Sequence, residues 1–349
     1  MMRIVLAAAI GLVFICGAEV APADLVETVD AHYAALTALD LTPDGATLVT
    51  GGKDGRLKMW DTSTYEMLVD VPACQTQIND IAVSPDSSYI VTASEDGYVK
   101  VWDSLTAELV IAIPAHIGGP ESSGFLARHS QSIRGSSGQA TRYGAERVSS
   151  VFSANCVAVS PDSLYIYSGG DDGSIRAWSV EDDYSLFWEA WAHYNGVNDV
   201  LVNAVGDYVY SAGADGFVRL YNASTGEMGA EILAFEEGEV SCISLNHMES
   251  CFYTGGTNGE IRYWDNATGA LTKKIRAHAG NVNYIAFLGD DSLAISGGED
   301  GKIKLWNMDA EMAGELQAHA LGVRDFRIAG DTLFTGGADY KLRVWSMNF

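Results

Sequence analysis

Two adjacent aspartates and a glycine, Asp171-Asp172-Gly173 within SGGDDGSIRAW at 168–178, are the residues whose types and spacing first suggest chemistry. Side-by-side carboxylates ahead of a permissive residue suit the start of a calcium loop or an acidic active site. The same letters suit a tight β-turn leading into a tryptophan-bearing strand. A calcium loop needs further oxygen ligands at regular spacing and a distal glutamate, and this stretch supplies neither. No GxSxG, HExxH or phosphate-loop sequence occurs elsewhere. Among Cys74, Cys156, Cys242 and Cys251 no pair has CxxC spacing, which speaks against a zinc site. Cys242 and Cys251 flank a turn, so a disulfide in an oxidising compartment is one reading; buried thiols are the favoured one. No metal and no cofactor is expected.

The elements that would position such residues come from a repeat. The aspartates of the Asp-Gly signal, or their counterparts, fall at 54, 96, 172, 215, 258 (Asn), 300 and 339. Their spacing is 39 to 43 residues once 34 inserted residues, 117–150, are removed from one interval. Six residues after each lies an aromatic: Trp60, Trp102, Trp178, Tyr221, Trp264, Trp306 and Trp345. Fixed spacing over seven copies marks a repeat architecture. Each copy alternates short runs rich in Val, Ile, Tyr and Thr with Gly/Pro-bounded turns, which reads as strands. Four strands per copy predict seven antiparallel sheets arranged as blades of a ring. GGDDGS then occupies the place of GGKDGR, ASEDGY, AGADGF and GGEDGK, so Asp172 is a turn residue and Asp171 an exposed extra.

The chain resembles the WD40-repeat family over residues 24–349. Trp-Asp is intact at Trp60-Asp61, Trp102-Asp103 and Trp264-Asp265 and drifts to Trp178-Ser179, Tyr221-Asn222, Trp306-Asn307 and Trp345-Ser346. The family's Gly-His appears as Ala-His at His32, His116, His193, His278 and His319. The resemblance implies an all-β, seven-bladed propeller of four-stranded antiparallel blades, with residues 24–32 supplying the outer strand of the last blade. It also implies hydrogen-bonded structural tetrads: Asp54, His32, Thr50 and Trp60; Asp300, His278, Ser296 and Trp306; Asp339, His319, Thr335 and Trp345. The fourth copy offers Asp215, His193 and Ser211 with Tyr221 in place of the indole. The second has Asp96, Thr92 and Trp102 with Cys74 in the histidine's place. The third has Asp172, Ser168 and Trp178, and His116 if the insertion leaves it in position. The fifth is most eroded, with Glu236 read in the histidine's place and Asn258 in the aspartate's. Such a row looks like a hydrolase triad, but catalysis needs it once, beside an oxyanion hole, not in several blades.

The remaining expectations concern partners. A net charge of −25 repels phosphates and anionic headgroups, which disfavours nucleic acid and membrane surfaces. Arg3 precedes a 15-residue apolar run, Ile4–Ala18, which reads as a signal peptide over 1–18 and predicts export, with the propeller over 19–349. The run is short for a membrane span. Residues 117–150 are rich in Ser, Gly and Arg and read as a flexible insertion, with a partner-binding arm as the sharper alternative. By family geometry the His loops and Asp-Gly turns share one end of the ring. Tyr33, Asn79, Asn155, Tyr194, Asn198, Asn283, Tyr284 and Arg324 are the candidate partner contacts there. Asn222 and Asn266 open N-x-S/T sequons. The function expected is a monomeric, non-enzymatic scaffold binding a protein or peptide. The alternatives are an exported enzyme or small-ligand binder using the central channel, and a cytosolic scaffold with a misassigned start.

Overall fold

A computed structural model describes residues 23–117, 151–289 and 291–347. The signal-peptide reading at 1–18, and the insertion apart from Ile117, lie outside the described residues. The described residues form seven four-stranded antiparallel sheets and no helix, so the protein is a seven-bladed β-propeller. The inner strands, which line the axis, are Leu36–Leu41, Ile78–Val83, Ala154–Val159, Val197–Val202, Val240–Leu245, Val282–Phe287 and Val323–Ala329. They define blades one to seven in that order.

Burial follows the position of each strand in its blade. Second strands such as Tyr89–Ser94 are buried along their whole length, whereas outer strands such as Met67–Pro72 are largely exposed. Near-continuous apolar runs therefore become second strands, and mixed runs become outer ones. The hydrophobic core is divided among the seams between blades. One cluster joins Leu57 and Met59 of blade one to Ile78, Ile90 and Trp102 of blade two. Another joins Phe334, Leu342 and Val344 of blade seven to Leu36, Leu48 and Trp60 of blade one.

Strand Asp24–Asp30 closes the ring. It pairs antiparallel with the third strand of blade seven, Lys341–Ser346, with Asp24 opposite Ser346 and Asp30 opposite Lys341. Every inner strand carries a β-bulge after its first residue, at Leu36/Ala38 in blade one and the same place in the rest. A bulge frees backbone groups from the ladder.

Candidate functional site

The polar quartets form in four blades. In blade one His32 Nδ1 is 2.9 Å from Asp54, His32 Nε2 is 3.0 Å from Thr50 Oγ1, and Trp60 Nε1 donates to that hydroxyl at 2.9 Å. A carboxylate only accepts, so the Nδ1–H donates to Asp54 and Nε2 accepts from Thr50. Blade six repeats this with Asp300, His278, Ser296 and Trp306, and blade seven with Asp339, His319, Thr335 and Trp345. His116 does occupy its place in blade three, 2.9 Å from Asp172 and 3.1 Å from Ser168, whose hydroxyl also accepts from Trp178. Burial opposes ionisation of Asp54, yet hydrogen bonds from His32 and from the Tyr33 and Arg56 backbone hold its carboxyl down at about 2. Burial also keeps His116, His193 and His319 below the usual imidazole range. Each hydroxyl is committed to an indole and an imidazole, an arrangement that positions strands.

The departures are informative. In blade four Asp215, His193 and Ser211 are joined, but the Tyr221 hydroxyl is buried without a partner. In blade five Phe235, not Glu236, stands in the histidine's place. Its backbone N–H bonds Gly216 as the His193 N–H bonds Gly173, and its ring fills the space over Gly256; Glu236 is exposed. In blade two Thr92 still accepts from Trp102, and Cys74 is in the histidine's place. The glycine that elsewhere makes room for the ring, such as Gly52 under His32, is Ser94 here, and its hydroxyl donates to Asp96 at 2.5 Å. A small residue above and a hydroxyl below thus replace an imidazole above and a glycine below. Cys74→His alone is expected to cost about 1–3 kcal/mol by overpacking against Ser94. Ser94→Gly alone is expected to cost about 1 kcal/mol through the lost Asp96 hydrogen bond. The double substitution should recover most of both, with a coupling of at least about 1 kcal/mol in urea denaturation.

A further ring lay unread in the sequence. Four residues after each turn aspartate, or after Asn258, stands a cation: Lys58, Lys100, Arg176, Arg219, Arg262, Lys304 and Arg343. In five blades it donates to the carbonyl preceding the His-place residue, as Lys58 does to Ala31 at 2.6 Å and Arg343 to Ala318 at 3.0 Å. Arg176 and Arg219 instead donate to Asp172 and Asp215, both at 2.8 Å. A basic residue in all seven copies was the available signal.

The His loops and the Asp-Gly turns do share one end. The N–H after His32, His193, His278 and His319 reaches the turn aspartate, as from Tyr33 to Asp54 at 2.9 Å and Tyr194 to Asp215 at 3.2 Å. Tyr33 is 83% and Tyr194 60% exposed. Tyr33 lies over the Lys58 ammonium and Tyr194 edge-on to Trp191. Ile117 and Val151 bridge each other, so the insertion leaves and returns at this end.

The asparagines named as candidate partner contacts make hydrogen bonds between blades. They occupy the bulge, where each side chain reaches the first inner-strand carbonyl of the next blade. Asn79 donates to Ala154, Asn155 to Val197, Asn198 to Val240 and Asn283 to Val323, at 2.5–3.0 Å. Thr37 and Ser241 do the same to Ile78 and Val282. Only the seventh member, Arg324, makes no such bond. Tyr284 likewise is no loop contact: it is half-buried on an inner strand, with the Arg327 guanidinium over its ring and Phe326 edge-on to it. Asn222 caps its own turn and Asn266 accepts from Tyr210, so both sequon asparagines are engaged. All four described cysteines are free thiols, Cys156 and Cys242 fully buried.

Below this ring the interior holds carboxylates that bind N–H groups on the open edges of the inner strands. Asp80 accepts from Val157, Asp199 from Ile243 and Asp325 from Leu39, each across one seam at 2.8–2.9 Å. Arg327 pairs with Asp325 at 2.6 Å and, across the closing seam, with Asp40 at 2.9 Å. Burial pushes Asp80 up to about 8 and Asp199 to about 7. The unfolded chain releases the Asp80 proton near pH 4 while the folded chain keeps it, so stability falls as pH rises from about 4 to 8. Asp80→Asn, which keeps an acceptor for Val157 without charge, should flatten that decline. It should gain about 1 kcal/mol or more at pH 8 relative to wild type in a pH series of denaturation curves.

Comparison with known proteins agrees with this geometry. The family model "WD domain, G-beta repeat" matches residues 23–61, 68–103, 147–179, 188–222, 231–265 and 269–307. The chain is 27% identical over 79 residues to mitochondrial division protein 1 of Neurospora crassa, 22% of this chain and 12% of that protein. It is 38% identical over 61 residues to human WD repeat-containing protein 3, 18% and 6% of the two chains. It is 37% identical over 71 residues to rat apoptotic protease-activating factor 1, 20% and 6%. The chain thus spans a small part of each of these relatives.

Proposed function

We propose that this chain, which belongs to the WD40 repeat family, is a non-enzymatic scaffold that holds a protein or peptide partner on the end of the ring carrying the His loops. One observation carries the reading. Tyr33 and Tyr194 are highly exposed side chains on backbone pinned to the turn aspartates. Large amphipathic rings on fixed backbone lose little freedom on binding and make good interface anchors. The Asp-His-Ser/Thr rows, which otherwise suggest chemistry, are occupied in joining strands. Export is part of the proposal and rests on Arg3 and the apolar run Ile4–Ala18.

The test is partner retrieval with the full chain. Tyr33→Ala with Tyr194→Ala should leave the unfolding midpoint within about 0.5 kcal/mol of wild type and abolish retrieval. Leu109→Ser with Val110→Thr, on an exposed outer strand, should retain it. The reverse pattern would place docking on the rim and refute the end-face assignment. Sequencing the N-terminus of the same preparation tests export: a chain beginning at Glu19 supports it, and one retaining Met1 opposes it.

A further inference from the structure

Blade seven breaks the repeat twice at the same end of the ring. The first break is at the bulge. Six blades place Thr, Asn or Ser there and bond the next blade; blade seven has Arg324, whose Nε is buried without a hydrogen-bond partner. A buried unpaired donor costs free energy, so a native one calls for an explanation. The second break is in the Asp-Gly turn. Six blades have glycine at positive φ there; blade seven has Tyr340, at φ 71° and half exposed. A bulky residue in that region is strained. The two sites are neighbours, since Ala338 N–H bonds the Gly322 carbonyl. Neither change gives the fold anything visible.

Arg324 faces a cavity of about 270 Å³ at the channel mouth, shared with Lys53, Asn281 and Asn283. No carboxylate lines it, on a chain of net charge −25. The Asn281 Oδ1 is also buried without a partner, so an orphan acceptor accompanies the orphan donor. We propose that this mouth, centred on blade seven, binds a peptide carboxylate, with Arg324 and Lys53 taking the anion and Asn281 Oδ1 an adjacent peptide N–H. A guanidinium matches a carboxylate with two parallel hydrogen bonds. Inorganic phosphate carries no N–H for Asn281. Its higher charge is also opposed by the exposed acids of the surrounding turns, Glu95, Asp171, Glu239 and Glu299. This deepens the scaffold reading by naming the group its partner presents.

The test follows the Arg324 Nε–H resonance of the full chain by NMR during titration. The probes are acetyl-Gly-Glu-Gly amide, acetyl-Gly-Gln-Gly amide, acetyl-Gly-Gly-Gly free acid and inorganic phosphate. Saturable shifts with the Glu peptide, the free acid or both support the proposal, and their relative strength tells side chain from chain terminus. Equal response to the Gln peptide, response to phosphate alone, or none to any probe overturns it. Arg324→Asn installs the residue four other blades use, and should raise Tm by restoring the seam bond while weakening the acidic probe at least about tenfold. A purely structural Arg324 would instead lower Tm on that change. If the probes fail while Tyr33 and Tyr194 still govern partner retrieval, the scaffold reading stands and this site falls.

Discussion

Deleting residues 24–30 removes the strand that closes the ring, and the expected result is loss of cooperative unfolding by the whole propeller. The strand is mostly exposed, so its contribution lies in the ladder to Lys341–Ser346, with six paired positions. At about 0.5–1.5 kcal/mol net per hydrogen bond, the loss is on the order of 5 kcal/mol. That is a large share of a domain's usual 5–15 kcal/mol. The newly bare edge contains buried Leu342, Val344 and Trp345, an invitation to edge-to-edge association. Denaturant titration should show a broadened, earlier transition, and sedimentation should show oligomers. An unchanged midpoint with a monomeric chain would mean the closure is dispensable.

Arg327→Met should be the most damaging single substitution in the interior. Arg327 is the cation paired with both Asp325 and Asp40, and it spans the seam between blades seven and one. Removing one partner of a buried ion pair leaves charge uncompensated, at about 3–5 kcal/mol. The effect has a sign in pH. Burial already raises Asp325 to about 6 with Arg327 present, and without the guanidinium it rises further. The folded variant then keeps a proton that the folded wild type gives up near pH 6, so the deficit grows from about pH 6 upward and shrinks in acid. Denaturation curves at pH 5 and pH 8 check this; an equal deficit at both would assign the loss to packing.

The sequence makes the architecture plain because the repeat is a statement about backbone. Turn aspartates and aromatics at constant spacing need no tertiary knowledge, and strand Asp24–Asp30 follows from a last copy one strand short. The interior is far less legible. Asn79, Asn155, Asn198 and Asn283 look like loop contacts until the bulge is seen to turn each amide onto the next blade. Tyr284 belongs with Arg327 for the same reason: only the curvature of the ring brings inner strands together. Phe235 escaped because an apolar ring stands where polar partners were sought. The cation at Lys58 and its six counterparts could have been found by reading the third strand one column further.

The pairing of Asp24 with Ser346 also fixes an orientation. The third strand of blade seven runs away from the turn at Asp339, so both ends of the propeller depart together, on the side opposite Tyr33 and Tyr194. A tether at either terminus, to another domain or to a surface, would aim the tyrosine-bearing end outward. Tension applied across both termini would load the Asp24–Ser346 pair first and peel the ladder rung by rung, so a pull unlatches the ring one pair at a time.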